Sequence, residues 1–273
     1  MQRFRPKQHR RNGFSLIELS VVIAIVSIVA VLGLESMAIF MNRTAYRVTQ
    51  ERMAVIKDAL AKHRYVYGYL PCPAFANASA TYPSNDYGKE YRNSGTGICS
   101  SSAMTGSGQN IINSGDVPVR DLGLPAQYMK DGYGSRIRYI VSRPMTRVGT
   151  AANLFGNAAT VGLIKIRTGL IDPAQSQEIA TAAYVLLSYG ADKRGAYGGT
   201  GCMPAPTTKF DGMIDTVNCR NGSALTLKTG TPAGAGTTVV VGDDVFYDSR
   251  YNNGSNEEMH FDDIIVWQTK GQL

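Results

Sequence analysis

Residues 10–34 read RRNGFSLIELSVVIAIVSIVAVLGL. From Phe14 to Leu34 the only charged side chain is Glu18. A helix over those residues, at about 1.5 Å per residue, spans about 31 Å, the thickness of a bilayer's hydrocarbon core. Upstream stand Arg3, Arg5, Lys7, Arg10 and Arg11 with no acid among them. That bias predicts an N-terminus held in the cytoplasm and a chain that emerges on the far side after Leu34.

The helical pattern does not end with the apolar run. Met37, Met41, Ala45, Val48, Val55, Ala59 and His63 recur at steps of three, four or seven, one face of a continuing helix. No proline interrupts residues 14–64, and Gly33 is their only glycine; Gly68 and Pro71 supply the stop. The competing expectation is an ordinary secretory signal, with Ser36-Met37-Ala38 as its small-x-small cleavage site and Ile39 as the new N-terminus. Such signals have apolar cores of about 7–15 residues, shorter than this run.

An acid deep in a membrane helix costs roughly 2.5–3.5 kcal/mol on insertion scales, so Glu18 asks for a partner. A cut between Gly13 and Phe14 would create an α-amine four residues before it. A neighbouring helix shifted by about one turn could then match cation to anion, fixing stagger more than adding stability. The alternative is that Glu18 snorkels to the headgroups or serves its own helix N-terminus.

The segment G-F-S-L-I-E, after a basic leader and before an unbroken apolar run, resembles the N-terminus of type IV pilins and type II secretion pseudopilins. The resemblance is strong over about the first fifty residues. It implies cleavage after Gly13 by the prepilin peptidase, N-methylation of Phe14, and Glu18 registering subunits in a helical filament. It also implies partnership with other pilin subunits, an inner-membrane assembly platform and membrane lipid. In the body VPVRDLGLP, DGYGSRIRYIV, SYGADKRGAYG and FDDIIVW resemble minor pilins and pseudopilins. The chain departs from the tip-capping pseudopilin, which typically lacks the glutamate, and no proline stands mid-segment. A body running to residue 273 is large for a repeated major subunit, so the expectation is a minor one.

Beyond the helix, strand signals fall at 131–142, with Ile137, Tyr139 and Val141 on one face, and at 161–168, 182–190, 236–247 and 261–269. Residues 93–115, with five glycines and six serines, read as a loop. The expected fold class is α+β: a long N-terminal helix, membrane-spanning in its first half, packed on an antiparallel β-sheet globular domain. The expected divisions are a leader at 1–13, a transmembrane and filament-core helix at 14–35, its amphipathic continuation at 36–65, and a periplasmic body at 66–273. Residues 37–63 would supply the stripe buried against the sheet.

Four cysteines, Cys72, Cys99, Cys202 and Cys219, all follow the apolar run and admit three pairings. The plain reading outside the cytoplasm is Cys72–Cys99 and Cys202–Cys219, each worth about 3 kcal/mol by loop closure; four reduced buried thiols are the alternative. No C-x-x-C suggests zinc.

The net charge of +7 invites a nucleic-acid reading, but five of the cations precede residue 13 and leave the rest at +2. Basic residues on a tail are not a DNA-binding face, so no nucleic acid is expected. SYGADKRGAYGG lacks the Lys-Ser/Thr of a phosphate loop. Beyond the leader only His63 and His260 remain, too few for a supported hydrolase triad, and no catalytic residue is assigned. The expectation is a non-enzymatic protein without a cofactor. The acids Asp243, Asp244, Asp248, Asp262 and Asp263, gathered near a Gly-bearing loop, suit Ca²⁺ by their hard oxygen ligands, though not at EF-hand spacing. Two other functions compete with a filament subunit: a membrane-tethered periplasmic enzyme or binding module, and a tip adhesin using its tyrosines and loops 75–115.

Overall fold

The computed structural model describes residues 15–75, 87–94, 97–100, 103–105, 112–148, 164–169, 176–196, 218, 225–229, 237–241, 244–248 and 262–273. At 30–36, 38, 103–105, 169, 176, 225–229 and 237–241 only the backbone is described. One helix, α1, runs Leu16–Tyr67. It stops where the sequence predicts: Gly68 takes a positive φ of 80° and its amide donates to Arg64 O at 2.7 Å. The chain divides into two compact units, Met1–Thr44 and Ala45–Leu273, with the boundary inside α1.

Among the described residues no helix is long and apolar enough to cross a membrane. The apolar stretch described with side chains runs from Leu16 to Val29. At 1.5 Å per residue it covers about 21 Å, short of the roughly 30 Å a bilayer core needs. Phe14 and the side chains at 30–34, which complete the sequence run, lie outside the described residues.

Among the described residues of the second unit ten strands follow the helix, an α+β order. A five-stranded sheet has the order β1-β2-β3-β6-β10, with β1 Ala103–Thr105, β2 Ile112–Asp116, β3 Arg138–Ser142, β6 Tyr184–Ser188 and β10 Ile264–Gln268. Its pairings are all antiparallel, with Tyr139 opposite Leu186 and Ile265 opposite Leu187. A three-stranded sheet orders β5 (Ser176–Ala182), β4 (Ile164–Gly169) and β9 (Val245–Tyr247). A hairpin joins β7 (Leu225–Thr229) to β8 (Thr237–Val241).

The period-two alternation of β3 and β6 sorts their side chains into two cores. On one face Tyr139, Val141, Tyr184 and Leu186 pack with Met53, Ile56 and Leu60 of α1. On the other Ile140, Val185 and Leu187 meet Ile164, Ile166 and Phe246 of the second sheet. The result is a layered body of helix, sheet and sheet. Each fully buried Leu or Ile contributes about 1.5–3 kcal/mol. Ile137, Tyr139 and Val141 share the helix-side core as their spacing predicts.

Three expectations need correction. The sheet is not wholly antiparallel, because β9 pairs with β4 in parallel. The buried helix stripe is Thr49, Met53, Ile56, Leu60 and His63, whereas Val55, Met37 and Met41 are exposed. Small and polar residues on the packing face hid it: Thr49 returns its hydroxyl to Ala45 O at 2.8 Å. Finally, residues 93–115 are not all loop. They contain β1 and most of β2, and INSGD of β2 is buried throughout. Its polar side chains are satisfied in place: Arg143 Nε donates to Asn113 Oδ1 at 3.0 Å and Arg138 Nε to Ser114 Oγ at 2.5 Å. Gly115 lies against the Ala74 carbonyl, where any Cβ would overlap backbone.

Candidate functional site

The first unit carries the candidate site. Gly13 and Phe14 lie outside the described residues. From Leu16, 88% exposed, to Val29, 63% exposed, and again at Met37, Ile39 and Phe40, large apolar side chains face outward. A helix apolar all round has no solvent-facing stripe and is built for burial in lipid or among other helices. Three of its described hydroxyls are turned inward: Ser20 Oγ donates to Ile17 O at 2.8 Å, Ser27 Oγ to Ile23 O at 2.7 Å and Thr44 Oγ1 to Phe40 O at 2.9 Å. Such back-bonding removes the cost of placing a hydroxyl in an apolar medium.

Glu18 stands exposed in the first turn of α1. Its Oε2 accepts the Ser15 amide at 3.0 Å, satisfying one of the donors a helix N-terminus leaves open. In this chain alone the carboxylate serves its own helix. The contact is local and solvent-exposed, so an external cation could displace it at little cost.

A second constellation closes the far end of α1. Cys72 and Cys99 form a disulfide with Cα atoms 5.4 Å apart. Beside it Arg92 holds Glu90 with two bonds, Nε to Oε1 at 2.9 Å and Nη2 to Oε2 at 3.0 Å. Arg92 Nη1 also donates to Gly97 O and to Thr146 O, both at 2.7 Å, while the guanidinium lies over the Tyr69 ring. Burial pushes the Glu90 carboxyl up, but the bonds from Arg92 and the Cys72 amide outweigh it and hold the group below the usual range. Sequence reading found the cysteines and missed this clamp, whose only signal was a charged pair at i and i+2. Cys202 and Cys219 lie outside the described residues.

Each described acid considered for calcium has an interaction of its own. Asp244 pairs with Lys165 at 3.2 Å, and Asp248 Oδ2 accepts Trp267 Nε1 at 2.9 Å. Asp262 Oδ2 accepts the Asp192 amide at 2.9 Å, and Asp263 is buried. Among the described residues no group of three His, Cys, Asp or Glu could hold a metal; Asp243 lies outside them. The Gly190–Gly195 segment is a turn whose Asp192 amide already donates to the Asp262 carboxylate, so that N–H is not open to a phosphate. His63 is buried, its Nδ1 3.1 Å from Tyr69 O, and His260 lies outside the described residues.

Residues 8–34 match the prokaryotic N-terminal methylation motif, the prepilin-type signal of type IV pilins and pseudopilins. The chain therefore carries the signal of a pilin-type precursor, which implies processing by prepilin peptidase and assembly with other pilin subunits. No curated protein and no solved structure matches the chain.

Proposed function

We propose that this protein is a minor, non-enzymatic subunit of a type II secretion pseudopilus or a type IV pilus. The precursor sits in the bacterial inner membrane, spanned once by the run from Phe14 to Leu34, with the leader cytoplasmic and the body periplasmic. Prepilin peptidase cuts after Gly13 and the new Phe14 amine is methylated. Glu18 then leaves its own Ser15 amide and pairs with the Phe14 amine of a neighbouring subunit. That pairing fixes the axial stagger while the apolar helix moves from lipid into the filament core.

The observation that carries this reading is a helix whose side chains from Leu16 to Val29 are apolar on all sides but for two serines and one acid, Glu18, which is held by an exposed local bond. Replacing Glu18 by alanine tests it. Filament incorporation should collapse while membrane insertion and folding of the body persist. Under the competing reading, a tethered periplasmic module, the substitution would be indifferent. Normal incorporation of the variant would reject the registration role.

A further inference from the structure

Arg47, Glu51, Asp58 and Lys62 are exposed on the face of α1 opposite the buried Met53, Ile56 and Leu60. Arg47 and Asp58 stand eleven residues apart, about three turns, so one lies above the other. Glu51 and Lys62 repeat that spacing in a second row, about 40° round the helix. The first row reads cation then acid, the second acid then cation. Arg43, the other exposed cation of this face, lies about 40° beyond the first row.

Each of the four has an opposite charge one turn away on its own helix, Glu51 after Arg47 and Lys62 after Asp58, within reach of an ordinary intrahelical pair. Neither pair is formed. Among the described residues none of the four makes an ion pair or a side-chain hydrogen bond. Ala54 and Ala61, exposed beside the first row, are small enough to let another helix approach closely. Two charged rows at helical spacing fit a helix that carries the reverse order, and the two rows are the reverse of each other.

We propose that these rows meet between copies: α1 of a second copy lies parallel and advanced by four residues, so that Glu51 faces Arg47 of that copy and Lys62 faces its Asp58. Four residues are one turn, about 6 Å. The same step takes Glu18 to a neighbour's Phe14 amine, so the inference rests on the filament reading and carries its register up into the body. With no advance the rows are out of step, and an advance of eleven residues pairs each row with itself. Because each copy offers one row to one neighbour and the other row to the next, the contact is heterologous and does not close, the condition for an open filament. Exposed ion pairs add little stability, so these fix the step between copies rather than hold them together.

Cysteine cross-linking in membranes tests this, with the full chain co-expressed as two differently tagged copies in a host with an active prepilin peptidase. One copy carries Arg47→Cys and the other Glu51→Cys, or one carries Asp58→Cys and the other Lys62→Cys; the parent chain sets the background. Both combinations should form disulfides between copies at least about fivefold above Arg47→Cys with Asp58→Cys, the pair that an eleven-residue advance would favour. In the first combination, adding Lys62→Glu to both copies should cut the yield about fivefold, and adding Asp58→Lys as well should restore it. Yields at background, a higher yield for Arg47→Cys with Asp58→Cys, no loss with Lys62→Glu, or no restoration would each overturn the proposal. Filament incorporation of Glu18→Ala, scored separately, decides the registration reading itself; absent cross-links while that variant fails to incorporate remove the rows alone.

Discussion

The Gly132 amide donates to Thr49 Oγ1 at 2.9 Å, joining the turn before β3 to α1 at the level where the body begins. The approach is so close that a Cβ on Gly132 would overlap the Ala45 carbonyl oxygen. Arg52 reinforces the junction, its Nη1 donating to Lys130 O at 2.8 Å and Asp131 O at 2.9 Å. This seam of backbone and short polar groups, with the Met53–Ile56–Leu60 core behind it, fixes the helix on the sheet.

Gly132→Ala should therefore destabilise the body by roughly 2–4 kcal/mol, since the clash is with helix backbone that cannot rotate away. Chemical unfolding of the full chain in detergent would measure it. Gly134→Ala is the control for turn strain, because its Cβ would meet no neighbouring atom.

Asp131 is the other half of the junction. Its Oδ1 accepts the amides of Tyr133 at 2.9 Å and Ser135 at 2.8 Å, and its Oδ2 accepts Ser188 Oγ at 2.7 Å. Asp131→Ala strands three donors and should cost roughly 2–4 kcal/mol. Asp131→Asn keeps an acceptor for the two amides and can donate to the Ser188 hydroxyl, so its loss should be clearly smaller. Equal losses would show that the carboxylate's charge, not its geometry, matters.

Asp116 should leave a signature in pH. Burial raises its carboxyl to about 6 despite the Arg136 guanidinium at 2.5 Å. The unfolded chain releases that proton near pH 4, so between about 4 and 6 the native state binds more protons. Asp116's contribution to stability is therefore greatest below that window, falls as pH rises through it, and is level above. Unfolding midpoints of Asp116→Asn, subtracted from those of the parent, should show this slope. A difference independent of pH would reject the assignment.

The Cys72–Cys99 bridge closes a loop with a sequence separation of 27, which by chain entropy is worth about 3 kcal/mol. Replacing both cysteines by serine should lower stability by that order and leave residues 90–100 tied to the rest by the Arg92 clamp and by backbone bonds such as the Tyr91 amide to Pro73 O. Reducing agent should then have no further effect on this loop; mass mapping of peptides before and after reduction checks the pairing directly.

Much of the frame was legible because its signals are repetitive. The long helix followed from an unbroken apolar run and a proline-free continuation; β3, β6 and β10 fall within the predicted stretches, β4 overruns its own by one residue, and the stretch 236–247 holds two strands, β8 and β9. What escaped was structure held by polar groups. INSGD has neither alternation nor β-branched enrichment beyond Ile112, and it is a strand because Arg138 and Arg143 satisfy it from neighbouring segments. The buried helix face was misplaced for a similar reason: Thr49 belongs to it through one hydrogen bond from Gly132, which no periodicity encodes. At the site, Glu18 was identifiable by chemistry alone, as one charge in an apolar run. Its bond to Ser15 is a property of the isolated chain that sequence offered only as one of two readings.

The account depends most on a free amine being made at Phe14, because without it Glu18 has no cation to meet. Mass spectrometry of the N-terminus of the protein recovered from membranes of a host with an active prepilin peptidase measures this directly. The predicted result is a mature chain beginning at N-methylated Phe14. A chain that keeps residues 1–13, or one that begins at Ile39, would contradict it.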